Sequence, residues 1–137
     1  MDQTILHFEI PANKVEKLRK FYAKLFGWKI EKMPDPVEYS LGSPTEYWTI
    51  ETAPAGEKMT PIRQRVCGGL YKKKRREDKP VNYVSVESID KYIQKVKTLE
   101  GTIIQQKQQV TGVGWTAIAL DPEGNQVALF RPTQNAR

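Results

Sequence analysis

The feature of this sequence that most constrains its fold is an internal repeat. Each half of the chain has the pattern of one strand, one helix that ends at a glycine, and three further strands. Twenty residues separate His7 from Gly27 in the first half, and 20 separate Val81 from Gly101 in the second. The matching spacing indicates that the chain folds as two copies of one structural unit.

The repeat predicts an α+β fold built from two βαβββ modules in tandem. The modules are expected at residues 4–74 and 80–132 of a single domain. Asn13 and Ser88 are the predicted N-caps of the two helices, because each has a polar side chain that can accept a hydrogen bond from the first helical turn. A module of this kind has its helix on one face of its sheet. We therefore expect a curved mixed sheet whose helix-free faces enclose a cleft.

A hairpin and a pair of glycines complete the predicted strands. The segment Trp115–Leu120, the turn DPEGN and the segment Gln126–Phe130 predict a hairpin, with Gly124 supplying a positive φ. Gly68 and Gly69 lie inside another predicted strand. Glycines there often mark a bulge or the close approach of another group.

Composition and charge limit the cellular compartment and the kinds of partner that we expect for this protein. The single cysteine, Cys67, excludes a disulfide framework within one chain and suits a reducing cytoplasm. The sequence shows neither a signal peptide nor an apolar run of membrane-spanning length, so we expect a soluble cytoplasmic protein with no membrane partner. The net charge of +6 includes the run KKKRR at Lys72–Arg76. Without a groove-reading motif this run favours a solvated turn, and nucleic acid is an unlikely partner.

Strand alternation assigns side chains to the two faces of each predicted sheet. Leu6, Phe8 and Ile10 are expected to face the first helix, and His7 and Glu9 the cleft. His7 is either a ligand or base, or a hydrogen-bonded residue of the strand face. Glu9 is either a base or a rim residue in contact with water. The predicted cleft residues are His7, Glu9, Trp48, Gly69, Val81, Tyr83, Trp115 and Ala128, where the two tryptophans are either cleft walls or core.

Four segments carry a resemblance to a known family. They are HFEIPA, FYAKLFGW, NYVSVESIDKYIQKVKTLEG and GVGWTAIALDPEGNQVALF, which follow one another through nearly the whole chain. In the paired arrangement of these segments over two modules, the chain resembles the vicinal oxygen chelate superfamily. This superfamily includes glyoxalase I, extradiol dioxygenases and bleomycin-resistance proteins. It is most similar to the branch labelled as related to lactoylglutathione lyase.

The resemblance implies four metal-ligand positions, one on the first and one on the last strand of each module. His7 matches the first of them. Val81 and Ala128 stand at two others and have no ligand atoms. The fourth position is Gly69 in one alignment and Glu51 in the other, and the repeat favours Gly69. Catalytic zinc sites normally use three protein ligands. His7 and Glu51 would supply at most two, so the site has too few ligands.

Two functions follow from these expectations. The first is metal-free binding of a small organic molecule in an apolar cleft, with no cofactor. The alternative is a metal-dependent lyase, isomerase or dioxygenase of the lactoylglutathione lyase type, with a divalent ion held by His7 and possibly Glu51, and with Glu9 as a further catalytic candidate. Exposed sheet edges and the frequency of twofold assemblies predict a homodimer.

Overall fold

A computed structural model describes residues 3–34, 46–52 and 66–133 of the chain. The described residues divide into two compact units, one of residues 7–34, 46–52 and 66–80 and one of residues 3–6 and 81–133. Each unit contains one βαβββ module. The sequence predicts either a short strand or a strand extension at Val37–Leu41, and this segment lies outside the described residues.

The first module consists of β1 (Ile5–Ala12), α1 (Val15–Phe26), β2 (Lys29–Lys32), β3 (Tyr47–Glu51) and β4 (Cys67–Lys72). Its strand order is β2-β3-β4-β1, in which β1 and β4 run parallel and the other neighbours antiparallel. Helix α1 covers one face through an apolar cluster. The residues of this cluster are Phe8, Ile10, Ala12, Val15, Leu18, Tyr22, Trp28, Ile30, Trp48, Ile50 and Leu70.

Helix α1 begins differently from the prediction. Its N-cap is Lys14, whose side chain makes no capping hydrogen bond, so the prediction of Asn13 as the cap was wrong. The sequence predicts a first strand that ends at Ile10, but β1 continues to Ala12, and the first helical residue is therefore Val15. The spacing of Asn13 and Glu16 resembles a capping box, but Glu16 pairs instead with Arg19 at 2.8 Å on the helix surface.

The second module consists of β5 (Val81–Ser85), α2 (Ile89–Thr98), β6 (Thr102–Val110), β7 (Gly114–Leu120) and β8 (Gln126–Pro132). Its order is β5-β8-β7-β6, with β5 and β8 parallel. Ser88 is the N-cap of α2 as predicted, and its Oγ accepts a hydrogen bond from the Lys91 amide at 3.1 Å. The sequence predicts this strand at Thr102–Gln106, but β6 extends to Val110 because its polar second half pairs with β7.

Two turns show why the charged and polar segments fold as they do. In the predicted hairpin turn, Asp121 Oδ1 accepts hydrogen bonds from the amides of Glu123 and Asn125, both at 2.9 Å. After the basic run, the buried Asp78 carboxylate accepts from the amides of Lys74 and Arg75 at 3.0 and 3.2 Å. A side-chain oxygen that binds nearby amides in this way stabilises a turn.

The α+β architecture of two βαβββ modules is therefore confirmed. In both modules the strand order, the parallel pairing of first and last strands, and the position of the helix are the same. No helix in the described part of the chain is long and apolar enough to cross a membrane.

Candidate functional site

The helix-free face of the first module carries a buried polar network. Since Phe8 and Ile10 pack towards α1, strand alternation places His7 and Glu9 on the other face. Tyr47, at the start of β3, lies on this face too. Its hydroxyl is 2.8 Å from His7 Nε2 and donates a hydrogen bond to Glu9 Oε2 at 2.9 Å. One phenol thus links the imidazole and the carboxylate.

Burial differs along this network. Glu9 is 1% exposed and Tyr47 is 2% exposed, whereas His7 is only half-buried. The alternative of a water-facing rim residue for Glu9 was therefore wrong, because its side chain is buried. A buried carboxylate needs hydrogen-bond partners to offset the loss of water, and the Tyr47 hydroxyl is one of them.

Gly69 makes room for Tyr47. It lies on β4 directly opposite Glu9 and Thr49 in the strand register. A Cβ atom built at position 69 would overlap with the hydroxyl oxygen and ring of Tyr47. The glycine is therefore needed because another side chain occupies the space over its backbone.

Sequence reasoning missed Tyr47 as a member of this site. The tyrosine was visible only as part of the aromatic, β-branched segment YWTIET, which predicts a strand and nothing more. The signal that pointed to it was the glycine pair at 68 and 69, which marked a close approach by an unidentified group. The structure identifies that group at Gly69 as Tyr47 and at Gly68 as the Phe8 ring.

Burial sets the charge state of the histidine. The pKa of His7 is lowered to about 4 from an ordinary value of 6.5, because desolvation disfavours the imidazolium. At neutral pH the imidazole is uncharged. It can donate from one ring nitrogen and accept at the other.

The corresponding face of the second module is apolar. Tyr83 stands opposite Ala128 in the register, as Glu9 stands opposite Gly69 in the first module. Ala128 is fully buried and Val81 is 5% exposed. The cluster on this face consists of Leu6, Val81, Tyr83, Val113, Ile118, Ala128 and Phe130. The expectation that Leu6 faces the first helix was wrong, because its side chain packs into this cluster.

The strand assignment shows whether Gly69 or Glu51 occupies the last-strand position of the first module. Gly69 lies on β4, the last strand of its module, in the position equivalent to that of Ala128 on β8. Glu51 lies at the end of β3, paired with Lys29 of β2. The last-strand position of the first module is therefore occupied by a residue without a side chain.

The side-chain hydroxyl of Thr116 is a buried polar group of the second module. Its side chain is 1% exposed, and its Oγ1 has no hydrogen-bond partner among the described residues. A buried hydroxyl in this condition carries a desolvation cost of about 1–3 kcal/mol.

Replacing Thr116 by valine is expected to raise the free energy of unfolding by about 1 kcal/mol, because a methyl group removes the desolvation cost at nearly constant shape. Urea denaturation measures the change. Thr52→Val is the matched control, because the Thr52 hydroxyl donates to the Val66 carbonyl at 2.6 Å and its loss is expected to destabilise. A destabilised Thr116→Val protein would mean that the hydroxyl has a partner in the folded chain.

The two candidate tryptophans lie on the other side of their sheets. Trp48 packs with Phe8 and Tyr22 in the cluster under α1, and Trp115 packs in the cluster under α2. The structure therefore does not bring them together with His7 or Ala128, and the core interpretation of these tryptophans is the one that their contacts support.

Two described grooves also lie beside the helices. One, of about 540 Å³, is bounded by Pro11, Lys14 and Phe21 next to α1. The other, of about 390 Å³, lies between α2 and the β7–β8 hairpin. No residue of the predicted cleft lines either groove.

The described residues at the positions implied by the resemblance do not fit a metal ion. Gly69, Val81 and Ala128 offer no donor atoms, and His7 Nε2 is engaged by the Tyr47 hydroxyl. In residues 3–34, 46–52 and 66–133, no group of three or more His, Cys, Asp or Glu side chains could hold a metal. Catalytic zinc normally requires three such ligands.

A tandem pair of βαβββ modules with the first and last strand of each side by side defines a known class of folds. Residues 4–129 match the Glyoxalase/Bleomycin resistance protein/Dioxygenase superfamily, and the chain belongs to that family. The resemblance to this superfamily that was inferred from the sequence is confirmed. No curated protein matches the chain in sequence.

Solved structures share the fold at low sequence identity. A hypothetical protein from Bacillus halodurans C-125 is 15% identical with a TM-score of 0.62, over 100% of this chain and 99% of that one. A methylmalonyl-CoA epimerase variant from Streptomyces coelicolor, in complex with 2-nitronate-propionyl-CoA, is 9% identical with a TM-score of 0.64, over 98% of both chains. A protein described as an NAD-dependent benzaldehyde dehydrogenase from Legionella pneumophila is 19% identical with a TM-score of 0.54, over 93% of this chain and 98% of that one. These likenesses show the fold alone.

Proposed function

We propose that this protein binds a small organic molecule without a metal ion, through the helix-free faces of its modules. The observation that carries the proposal is the replacement of ligand positions by Gly69, Val81 and Ala128 on an otherwise intact family scaffold. Apolar walls with a few placed polar groups are typical of sites for such molecules. The second module by itself has such apolar residues in the Ala128 cluster, and the first module by itself has such polar groups in His7, Tyr47 and Glu9.

The metal-dependent lyase, isomerase or dioxygenase is the weaker alternative. It would rest on His7 with Glu51, but Glu51 lies on β3 rather than on the last strand of the module. We therefore assign the chain no resident cofactor. We propose a homodimer in a reducing cytoplasm as the working state of the protein, on the basis of its single cysteine and of the frequency of twofold assemblies.

Native mass spectrometry of protein purified without chelator tests the proposal. We expect a dimer without stoichiometric metal, together with a small organic adduct. Elemental analysis of the same sample provides an independent count of zinc, nickel, manganese and iron. One divalent ion per subunit that is lost in His7→Ala would overturn the proposal and favour the metal-dependent alternative. His7→Ala is matched by Glu51→Ala, which removes the other candidate ligand.

A further inference from the structure

Helix α1 leaves its apolar side chains less covered than helix α2 does. No residue of α1 is buried, whereas Ile89 and Ile93 of α2 are. On α1, Phe21 is 55% exposed and Leu25 is 56% exposed. These two residues are four positions apart and therefore neighbours on the helix surface. Contiguous exposed apolar side chains mark interaction sites, whereas single ones are ordinary on protein surfaces.

The exposed side chains belong to a row along the helix. Leu18, Phe21 and Leu25 follow the spacing i, i+3, i+7, which aligns them on one side of a helix, and we call them the apolar stripe of α1. Leu18 also packs against the sheet of its module, so the stripe runs along the edge of the core. At its N-terminal end the stripe borders the groove of about 540 Å³, which Leu18 and Phe21 line together with Pro11.

Lysines run beside the apolar stripe. Lys17 and Lys24 have the same spacing as Leu18 and Leu25, one position earlier in the chain, and Lys14 lines the groove together with Lys17. All three lysines are exposed, and in residues 3–34, 46–52 and 66–133 none of them takes part in an ion pair. The stripe therefore has positive charge along one side.

We propose that the apolar stripe of α1 and its three lysines form a docking surface for a helical segment of another protein, which presents apolar side chains beside a row of carboxylates. Amphipathic helices dock through side chains at this spacing. Lys17 and Lys24 are about 10 Å apart along the helix axis, at 1.5 Å per residue. A partner helix can place carboxylates at the same interval. This surface goes beyond the proposed function and does not depend on it.

A second copy of this chain fits the surface less well. In a twofold contact both copies present the same residues to each other. A contact centred on Phe21 would therefore bring Lys17 and Lys24 of one copy close to the same lysines of the other. Like charges that face each other across an interface cost free energy, whereas opposite charges favour association. The charge of the surface thus favours an acidic partner.

An anionic membrane fits less well for a different reason. Helices that lie in a membrane surface bury a broad apolar face and keep a charged face towards water. The broad apolar face of α1 packs on its own sheet through Val15, Leu18 and Tyr22. Only the narrow apolar stripe is left for a partner, and its width matches the contact face of one helix.

Fluorescence anisotropy with a synthetic peptide tests the proposal. The peptide is about 18 residues long, enough for a helix in water, with leucines at the spacing of the apolar stripe and glutamates in the row beside them. We expect it to bind the full-length protein more weakly as salt is added. A second peptide with lysine in place of each glutamate is expected to bind about tenfold more weakly. No saturable binding of the acidic peptide, or equal binding of both peptides, would overturn the proposal.

Substitutions in the apolar stripe test its part in the contact. Phe21→Ser and Leu25→Ser are each expected to weaken binding of the acidic peptide by about tenfold, because buried apolar anchors carry most of the affinity of an interface. Leu99→Ser is the control, since Leu99 is 70% exposed at the end of α2, and its affinity is expected to be that of the wild type. Wild-type affinity in Phe21→Ser would contradict the proposal.

A charge exchange tests the lysines. A protein with both Lys17→Glu and Lys24→Glu is expected to bind the lysine peptide more tightly than the glutamate peptide, which reverses the wild-type order. Lys97→Glu changes an exposed lysine of α2 and is expected to keep the wild-type order. An unchanged order in the double variant would overturn the assignment of the lysines. Circular dichroism shows whether each variant is folded, which we expect because every substituted side chain is exposed.

Two measurements identify a different occupant. If native mass spectrometry found a dimer for the wild type and a monomer for Phe21→Ser, the surface would be the contact between two copies. If vesicles of phosphatidylserine and phosphatidylcholine sedimented with the wild type but not with Phe21→Ser, the surface would bind a membrane. Either result would overturn the proposal of an acidic helical partner.

Discussion

Replacing Gly69 with alanine is expected to lower the free energy of unfolding by about 3 kcal/mol, the upper end of the range for overpacked cores. The added Cβ would overlap with the Tyr47 hydroxyl and ring, in a site where Tyr47 is 2% exposed and has no room to yield. Displacing the phenol also breaks its hydrogen bonds to His7 and Glu9. Urea or guanidinium denaturation monitored by circular dichroism measures the loss.

A double-mutant cycle attributes this cost to Tyr47. In a Tyr47→Ala background the space over position 69 is open, so the further change Gly69→Ala is expected to cost less than 1 kcal/mol. Gly27→Ala serves as the control glycine, because a Cβ there meets nothing within 4 Å and only its φ of 74° opposes the change. An equal cost of Gly69→Ala in both backgrounds would contradict the steric dependence of position 69 on Tyr47.

The second large effect expected is a pH dependence of stability that depends on His7. The pKa of the folded imidazole is about 4 and its ordinary value is 6.5, because burial disfavours the charged ring. Below pH 6.5 the unfolded chain therefore binds a proton that the folded chain does not. The stability contributed by the neutral ring is fully present above pH 6.5 and is lost as the pH falls towards 4.

The expected loss between pH 7 and pH 5 is about 2 kcal/mol, at 1.36 kcal/mol for each unit of pKa difference. Denaturation curves at pH 7, 6 and 5 measure it. No second histidine titrates in this interval, because His7 is the only one in the chain. His7→Asn removes the titrating group and is expected to flatten the curve over the same interval. If the free energy of unfolding of the wild-type protein changed with pH as little as that of His7→Asn, the pKa of the folded imidazole would be close to its ordinary value, contrary to this prediction.

Much of the fold was predictable from local patterns. The spacing of His7 and Gly27, repeated by Val81 and Gly101, indicated two modules. The expectation that both helices end at a glycine was right for Gly27, the C-cap of α1, and wrong for α2, which ends at Thr98 with Leu99 as its C-cap. Ser88 was identified as a cap because capping depends on one side chain and the amides next to it. The cap of α1 was misplaced because pairing of β1 with β4 carries the strand on to Ala12, an interaction between residues 60 positions apart in the chain.

The candidate site likewise has residues that could be recognised from the sequence and a contact that could not. That Val81 and Ala128 have no ligand atoms was evident from the sequence, because residue type alone decides whether a side chain can coordinate a metal. Only the tertiary structure showed that Tyr47 reaches over Gly69 to join His7 and Glu9. The tyrosine is 38 residues from Glu9 along the chain, and no local pattern encodes such a contact. It depends on the order and register of β3, β4 and β1, which place a glycine beneath the phenol and a carboxylate beside it.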